Sequence, residues 1–263
     1  MKIERVAIVT HEQKSRALEL EKDVTRAFDE RGIEVTDERP DLVMSLGGDG
    51  TTLRAAQQAH DSDAPLLSVN VGMLGYLTEV DADEAMGALE RILAGDYRIE
   101  DRMMVACEIG SGREVARFVG LNEVLVERTS PHLVRLRVEI GGESLAAFNA
   151  DGIIVATPTG STAYSLSAGG PIVSPRAQCL IVVPVSAHMI FSRPFVLAPD
   201  ETVEITFEGR DEKASVTLDG GPGCEIPSGT QVRVGRHERP LRLVRLSGPG
   251  FLERLRIKLD LPG

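Results

Sequence analysis

The chain predicts an α/β amino-terminal domain built on a parallel sheet, followed by a β-rich, β-sandwich-like carboxy-terminal domain. Two patterns carry this reading. Up to about residue 97, short apolar runs alternate with stretches whose apolar residues recur at helical spacing, as in strand–helix–strand units. From Met103 onward, apolar residues recur at every second position and pairs of glycines separate the runs, as in antiparallel hairpins. The expected divisions are 1–97, 98–246, and a tail of 247–263 returning to the first domain. With 263 residues, 42% of them hydrophobic, the chain can supply two cores.

In the first half, Val6-Ala7-Ile8-Val9 reads as a strand. Leu20, Val24, Ala27 and Phe28 then mark one face of a helix that Gly32 closes. Asp41–Leu46 reads as a short buried strand, and Leu53, Ala56 and Gln57 to His60 continue at helical spacing. Between them lies the most informative stretch, Leu46-Gly47-Gly48-Asp49-Gly50-Thr51-Thr52. Glycines at 47, 48 and 50 allow positive φ and close backbone approach, so that N–H groups and a helix amino terminus can face an anion. Asp49 sits inside this phosphate cradle, at the carboxyl end of a strand, where open α/β sheets bind ligands.

An Asp-Gly hairpin turn uses the same residues, but here the turn joins a strand to a helix. The loop lacks the lysine of a Walker loop and the third glycine of a Rossmann fingerprint. A kinase-type glycine loop remains, in which Asp49 touches either a metal or a hydroxyl. Leu66–Val69 supplies the next strand, and Ala85, Leu89 and Ile92 a helix that Gly95 ends.

In the second half, Val134–Ile140 alternates and meets Gly141-Gly142, and Val203, Ile205 and Phe207 alternate before Gly209. Leu218-Asp219-Gly220-Gly221 and Pro227-Ser228-Gly229 read as hairpin turns, and Phe251–Leu259 as a short final helix. Asp151–Gly170 is an apolar strand running into a hydroxyl-rich loop. Thr159, Ser161, Thr162 and Ser167 offer small donors and acceptors, and Tyr164 a stacking face with a polar tip. Such a loop suits an adenine ring and ribose hydroxyls; it equally suits a Ser/Thr cap on a helix around Thr162–Ala168. Asn122-Glu123 interrupts a strand. An amide beside a carboxylate can hold a ribose diol, though an ordinary strand end is the simpler account. His188 reads as a hydrogen-bonded structural histidine.

Composition excludes several classes. A net charge of −11 opposes a nucleic-acid partner. No apolar run reaches transmembrane length, and Met1-Lys2-Ile3-Glu4-Arg5 leads straight into a strand rather than into a signal-peptide core. No membrane association and a cytoplasmic location are expected. Cys107, Cys179 and Cys224 lack the spacing of a disulfide framework or a zinc site, and neither a Ser-His-Asp pattern nor GxSxG is present.

Several pieces, taken in order, resemble the NAD kinase family. They are Gly47-Gly48-Asp49-Gly50-Thr51, Gly72-Met73-Leu74-Gly75-Tyr76-Leu77-Thr78, Arg102-Met103-Met104, Leu121-Asn122-Glu123, Asp151 through Gly170, His188 with Arg193-Pro194, and Leu218-Asp219-Gly220. The resemblance spans nearly the whole chain. It implies phosphorylation of the adenosine-ribose 2′-hydroxyl of NAD to give NADP, with ATP or polyphosphate as donor and Mg²⁺ or another divalent metal, whose ligands stay unassigned. It also implies a homodimer or homotetramer.

By position, Asp49 would orient or deprotonate the hydroxyl. Asn122 and Glu123 would contact ribose and adenine, and Asp151 would hold the nicotinamide end. Thr159, Thr162, Ala163, Tyr164 and Ser167 would surround the adenine, and Gly50 and Tyr76 would line the dinucleotide site. Gly47, Gly48, Gly50, Thr51 and Arg54 form the expected ATP-phosphate set. Asn149 replaces a basic residue common in the family, and Gly221 a glutamine, which leaves donor preference and NADP affinity open. The Gly-Gly-Asp-Gly-Thr loop also occurs in diacylglycerol and sphingosine kinases. Against a lipid kinase stand the 4% aromatic content and the net charge of −11. A non-catalytic dinucleotide sensor on the same fold is the other alternative, and an assay for NADP formation discriminates it.

Overall fold

Strand β1 (Arg5–Thr10) feeds helix α1 (Ser15–Asp29), which buries Ala17, Val24, Ala27 and Phe28. These coordinates come from a computed structural model, which describes residues 2–111, 114–187, 193–209 and 212–262; His188 lies outside the described residues. Strands β2 (Glu34–Val35) and β3 (Leu42–Gly47), helix α2 (Asp49–Asp61), strands β4 (Leu66–Asn70) and β5 (Val80–Asp81), helix α3 (Ala85–Leu93) and strand β6 (Arg98–Arg102) follow. Strands β3 and β4 are buried at every residue, which is why they read as continuous apolar runs rather than alternating ones. Strands β1 to β5 pair in parallel. Their core joins Val6, Leu42, Met44, Leu46, Leu67 and Val69 to Val24 and Phe28 of α1 and to Leu89 and Ile92 of α3.

The second unit is a β-sandwich. Its strands are β7 (Val105–Ser111), β8 (Glu114–Gly120), β9 (Glu123–Arg128), β10 (Val134–Ile140), β11 (Glu143–Ala150) and β12 (Gly152–Ala156). After the short helix α4 (Tyr164–Ser167) come β13 (Leu180–Val185), β14 (Phe195–Leu197), β15 (Val203–Phe207), β16 (Ala214–Leu218), β17 (Cys224–Ile226) and β18 (Gln231–Arg236). Among the described residues they form two antiparallel sheets, β11-β10-β15-β18-β7-β8 and β14-β13-β12-β9-β16-β17. Leu136, Val138, Phe207 and Val232 of the first sheet meet Val124, Val126, Ile153, Val155 and Val182 of the second in one core. The outer face of the second sheet, with Leu125, Ile154 and Ile181, is packed by Ala168, Val173 and Ala177. Strand β12 is therefore buried on both sides, and the hydroxyl-rich segment that follows it is pinned down.

The chain then returns to the first unit as β19 (Leu241–Arg245) and α5 (Phe251–Lys258). This corrects the expected divisions: the first unit holds residues 1–102 and 241–263, the second 103–240. The reason is a ladder invisible to local pattern, in which β19 lies antiparallel to β6 and parallel to β4. Strand β6 has a single apolar residue, Ile99, and β19 follows directly on the sandwich strands in sequence, so neither is marked locally as a strand of the first unit. Pro227-Ser228-Gly229 is likewise not a hairpin turn. Strand β17 pairs with β16 in one sheet and β18 with β15 and β7 in the other, so this turn carries the chain between sheets. Leu218–Gly221 does open the β16–β17 hairpin, and Gly141-Gly142 turns β10 into β11 with both φ values positive.

A buried carboxylate fastens the returning segment. Glu79 accepts from Arg245 Nη1 at 2.8 Å and from the backbone N–H groups of Leu246 at 2.7 Å and Gly248 at 3.2 Å. Arg245 also reaches Glu100, which pairs with Arg102.

Phe207, only 1% exposed in the middle of the sandwich core, sets an energetic test. Phe207→Ala is expected to lower stability by about 3–5 kcal/mol, through lost transfer energy and the cavity left behind. Urea denaturation followed by circular dichroism measures the loss.

Candidate functional site

In the first unit the site is built where β3 ends and α2 begins. Gly48 is the amino-terminal cap of α2, and Asp49 is its first residue, so that its carboxylate lies at the positive end of the helix. The glycines act differently from the expectation of positive φ, because none of Gly47, Gly48 and Gly50 adopts it. Gly47 is required by close approach: a Cβ there would overlap the Thr51 side chain. Gly48 and Gly50 face open space, which leaves their main chain bare. Thr52 braces the loop from beneath, with its Oγ1 3.1 Å from both Gly48 O and Ser45 Oγ.

The Asp49 carboxylate is captured by the loop after β4. Oδ2 accepts from the Tyr76 N–H at 2.9 Å and Oδ1 from the Leu77 N–H at 3.0 Å. Gly75 makes this possible, since a Cβ there would overlap Oδ1. The Tyr76 ring lies beneath Lys258 Nζ, 5.1 Å from its centroid; burial, and then the Asp49 charge, raise the phenol's pKa.

Beside the loop lies an open cavity of about 440 Å³ lined by His11, Glu12, Gln13, Lys14, Gly48, Gly50, Thr51 and Arg54. Arg54 donates to Thr10 O at 3.0 Å, and Lys14 Nζ to Val71 O at 2.9 Å. Two cations, a helix amino terminus and two bare glycines suit a polyanion. Sequence reasoning had found Gly48, Gly50, Thr51 and Arg54 but missed His11–Lys14, whose signal was a polar loop at the carboxyl end of β1. Among the described residues no three His, Cys, Asp or Glu side chains converge as a metal cage. Glu12, also in the cavity lining, is paired with Arg54 at 3.3 Å.

In the second unit, Asn122 and Glu123 lie where the chain leaves β8 for β9. A second aspartate organises them. Asp219, at a positive φ of 51° in the β16–β17 turn, accepts from the N–H groups of Leu121 (2.7 Å), Asn122 (2.7 Å) and Glu123 (3.1 Å). The sequence marks Asp219 as a turn residue and as part of a family motif, without a role in the site. Thr157 ties the hydroxyl-rich segment to the same place: its N–H reaches Asn122 O at 2.8 Å and its Oγ1 donates to Leu121 O at 2.6 Å. Gly160 is needed there because a Cβ would overlap Asn122 O. Thr159 is buried, Thr162 and Ala163 are half-buried, and Tyr164 and Ser167 are exposed.

These residues therefore share one neighbourhood. Asp151 does not belong to it. It precedes β12 while Thr157 follows it, a separation of about 20 Å at strand rise. Its carboxylate is paired with Arg128.

Glu123 is buried beside the half-buried Asp219. Asp219, fed by three N–H donors, is the better seat for the charge, although burial still raises its pKa. Glu123 Oε2 is buried without a hydrogen-bond partner. Burial, and then the Asp219 charge, push the Glu123 pKa up to about 8, so this carboxyl holds a proton at neutral pH.

Comparison with known proteins gives a consistent result. The family model of the ATP-NAD kinase N-terminal domain matches residues 7–97, and that of the ATP-NAD kinase C-terminal domain matches residues 121–246. The NAD kinase of Corynebacterium glutamicum is 42% identical over 225 residues, covering 84% of this chain and 77% of that protein. The NAD kinase of Mycobacterium tuberculosis is also 42% identical over 225 residues, covering 84% and 73%. Among solved structures, yeast NADH kinase complexed with NADH superposes with a TM-score of 0.92 at 21% identity, covering 99% of this chain and 88% of that one. An NAD kinase from Archaeoglobus fulgidus in complex with ATP superposes at 0.78 with 26% identity, covering 98% and 100%.

The raised pKa of Glu123 has a definite sign in stability. Between pH 4.5 and about 8 the unfolded chain releases this proton while the folded chain keeps it, so stability falls as pH rises. Glu123→Gln has no proton to release and is expected to remove a few kcal/mol of that decline. Urea titrations across the range measure it, and identical slopes for both proteins would show Glu123 ionised in the fold.

Proposed function

Because the chain belongs to the NAD kinase family and is a phosphotransferase, we propose that it moves the γ-phosphoryl group of ATP to the 2′-hydroxyl of the adenosine ribose of NAD. The products are NADP and ADP. The observation that carries this reading is the Asp49 carboxylate, gripped by two backbone N–H groups, on a turn whose Gly48, Gly50 and Thr51 line a polyanion-sized cavity.

In the step proposed, the ribose 2′-oxygen forms a bond to the γ-phosphorus as the bond from that phosphorus to the bridging oxygen of ADP breaks. Asp49 accepts the hydroxyl proton. With both oxygens already oriented by N–H donors, the carboxylate keeps a free lone pair aimed in a fixed direction, which suits a proton acceptor. The bare N–H groups of the Gly48–Thr51 turn, with Lys14 and Arg54, receive phosphate oxygens. A divalent ion such as Mg²⁺, bound with ATP, would supply further neutralisation of phosphate charge.

For the dinucleotide, Asn122 and protonated Glu123 offer the ribose and adenine a donor set held rigid by Asp219. Thr159, Thr162, Ala163, Tyr164 and Ser167 line the adenine region, Gly50 and Tyr76 the sugar, and Asp151 the nicotinamide end. We also read the enzyme as cytoplasmic, in keeping with three free cysteines, and as a homodimer or homotetramer, which offers Asp151 from a neighbouring copy. Among the described residues no helix is long and apolar enough to cross a membrane. Nothing in the chain favours a lipid kinase or a silent sensor.

The purified protein, given NAD, ATP and Mg²⁺, is expected to form NADP in a dehydrogenase-coupled assay, and parallel reactions with polyphosphate or NADH rank donors and acceptors. Asp49→Asn should cut turnover by about 10²- to 10⁴-fold while NAD affinity stays within a few-fold. Near-normal turnover in that variant removes Asp49 from its role.

A further inference from the structure

We propose that Arg254, on the carboxy-terminal helix, is a positioning residue for Asp49: it fixes the loop whose backbone N–H groups hold that carboxylate. The inference rests on the reading of Asp49 as proton acceptor.

Arg254 is 3% exposed, the deepest residue of an otherwise mostly exposed helix. Its Nη1 donates to Gly75 O at 3.1 Å, and its Nε to Pro249 O at 2.8 Å. Gly75 is the residue before Tyr76 and Leu77, which donate to Asp49. One guanidinium thus holds the carbonyl at the head of a three-residue turn whose next two amides face the carboxylate. Gly75 itself touches Asp49 so closely that no Cβ fits, and any drift of its carbonyl is passed directly to Oδ1.

The anchorage of α5 is independent of Asp49. Glu79 binds Arg245 and the amides of Leu246 and Gly248, and it lies 3.9 Å from Arg254 Nη2. Charge couples the two sites as well: Glu79, Asp49 and Asp81 all favour the cationic form of Arg254 against its burial. Four residues further along the helix, Lys258 covers the Tyr76 ring. The helix therefore grips the 75–76 turn at two points, by carbonyl and by ring, and neither point lies in the phosphate cradle.

The test is a double-mutant cycle on the full chain. Arg254→Ala is expected to lower kcat by about 10- to 100-fold, the scale of an ångström-size misplacement of a reacting group, with KM for NAD and ATP within about three-fold. Arg254→Lys, which keeps the charge and one donor, should recover most of that loss. In the Asp49→Asn background, Arg254→Ala should cost less than about two-fold more, because the group it positions is already gone.

Kcat unchanged in a folded Arg254→Ala protein, losses that multiply in the double variant, or an effect confined to KM would each overturn the proposal. If Arg254→Ala does not fold, as shown by circular dichroism, Arg254→Lys decides by the same cycle, with a kcat loss of about three-fold expected. Normal turnover of Asp49→Asn alone would instead defeat the reading of Asp49, so the two failures are distinct.

Discussion

The capture of the Asp49 carboxylate by the consecutive N–H groups of Tyr76 and Leu77 is the constraint on which the first unit's chemistry depends. A side chain on the first turn of a helix has several rotamers open to it, and only a fixed partner selects one. Two N–H donors on two oxygens select it fully, because both the torsion and the plane of the carboxylate are then defined. The arrangement requires a residue without a side chain at 75, a carbonyl anchor behind it, and a returning carboxy-terminal segment to supply that anchor. Residues remote in sequence are thereby bound to one geometric requirement.

The second unit uses the same device. Asp219 accepts from three consecutive amides and holds Asn122 and Glu123 at a strand exit, while Thr157 and Gly160 close the hydroxyl-rich segment against them. The electrostatic outcome differs because the surroundings differ. Asp49 and Asp219 are both half-buried, but Asp219 has beside it a second carboxyl, the buried Glu123, and the two cannot both be charged cheaply. The proton stays on Glu123, the partner with fewer donors. A carboxyl kept neutral in this way donates as well as accepts, which widens what it offers a nucleoside.

Much of the fold was legible along the chain. Strand β10 and the span of β15 follow from alternation alone, α1 and α3 from their apolar stripes, and the glycine loop from its place between β3 and α2. Legibility ended where a residue's meaning came from a distant partner. Strands β6 and β19 carry no local mark of the first unit, and the ladders from β6 to β19 and from β19 to β4 assign them to it. Asp219 reads locally as a turn residue and Gly75 only as one position of a family motif, since the amides and carboxylate that give them purpose lie far away in sequence. Strand β12 separates Asp151, expected at the nicotinamide end, from the expected adenine residues that follow it.

The sequence by itself determined the two-domain plan, the acid set within a glycine loop, and the family, because periodicity, turn chemistry and motif order are local properties that survive without coordinates. Tertiary structure alone decided which groups hold which. It showed that Asp49 is aimed by backbone N–H groups, that burial beside Asp219 raises the pKa of Glu123, and that Arg254 stands behind Gly75. Hydrogen-bond geometry and desolvation depend on atoms brought within a few ångströms, and linear order does not encode those distances.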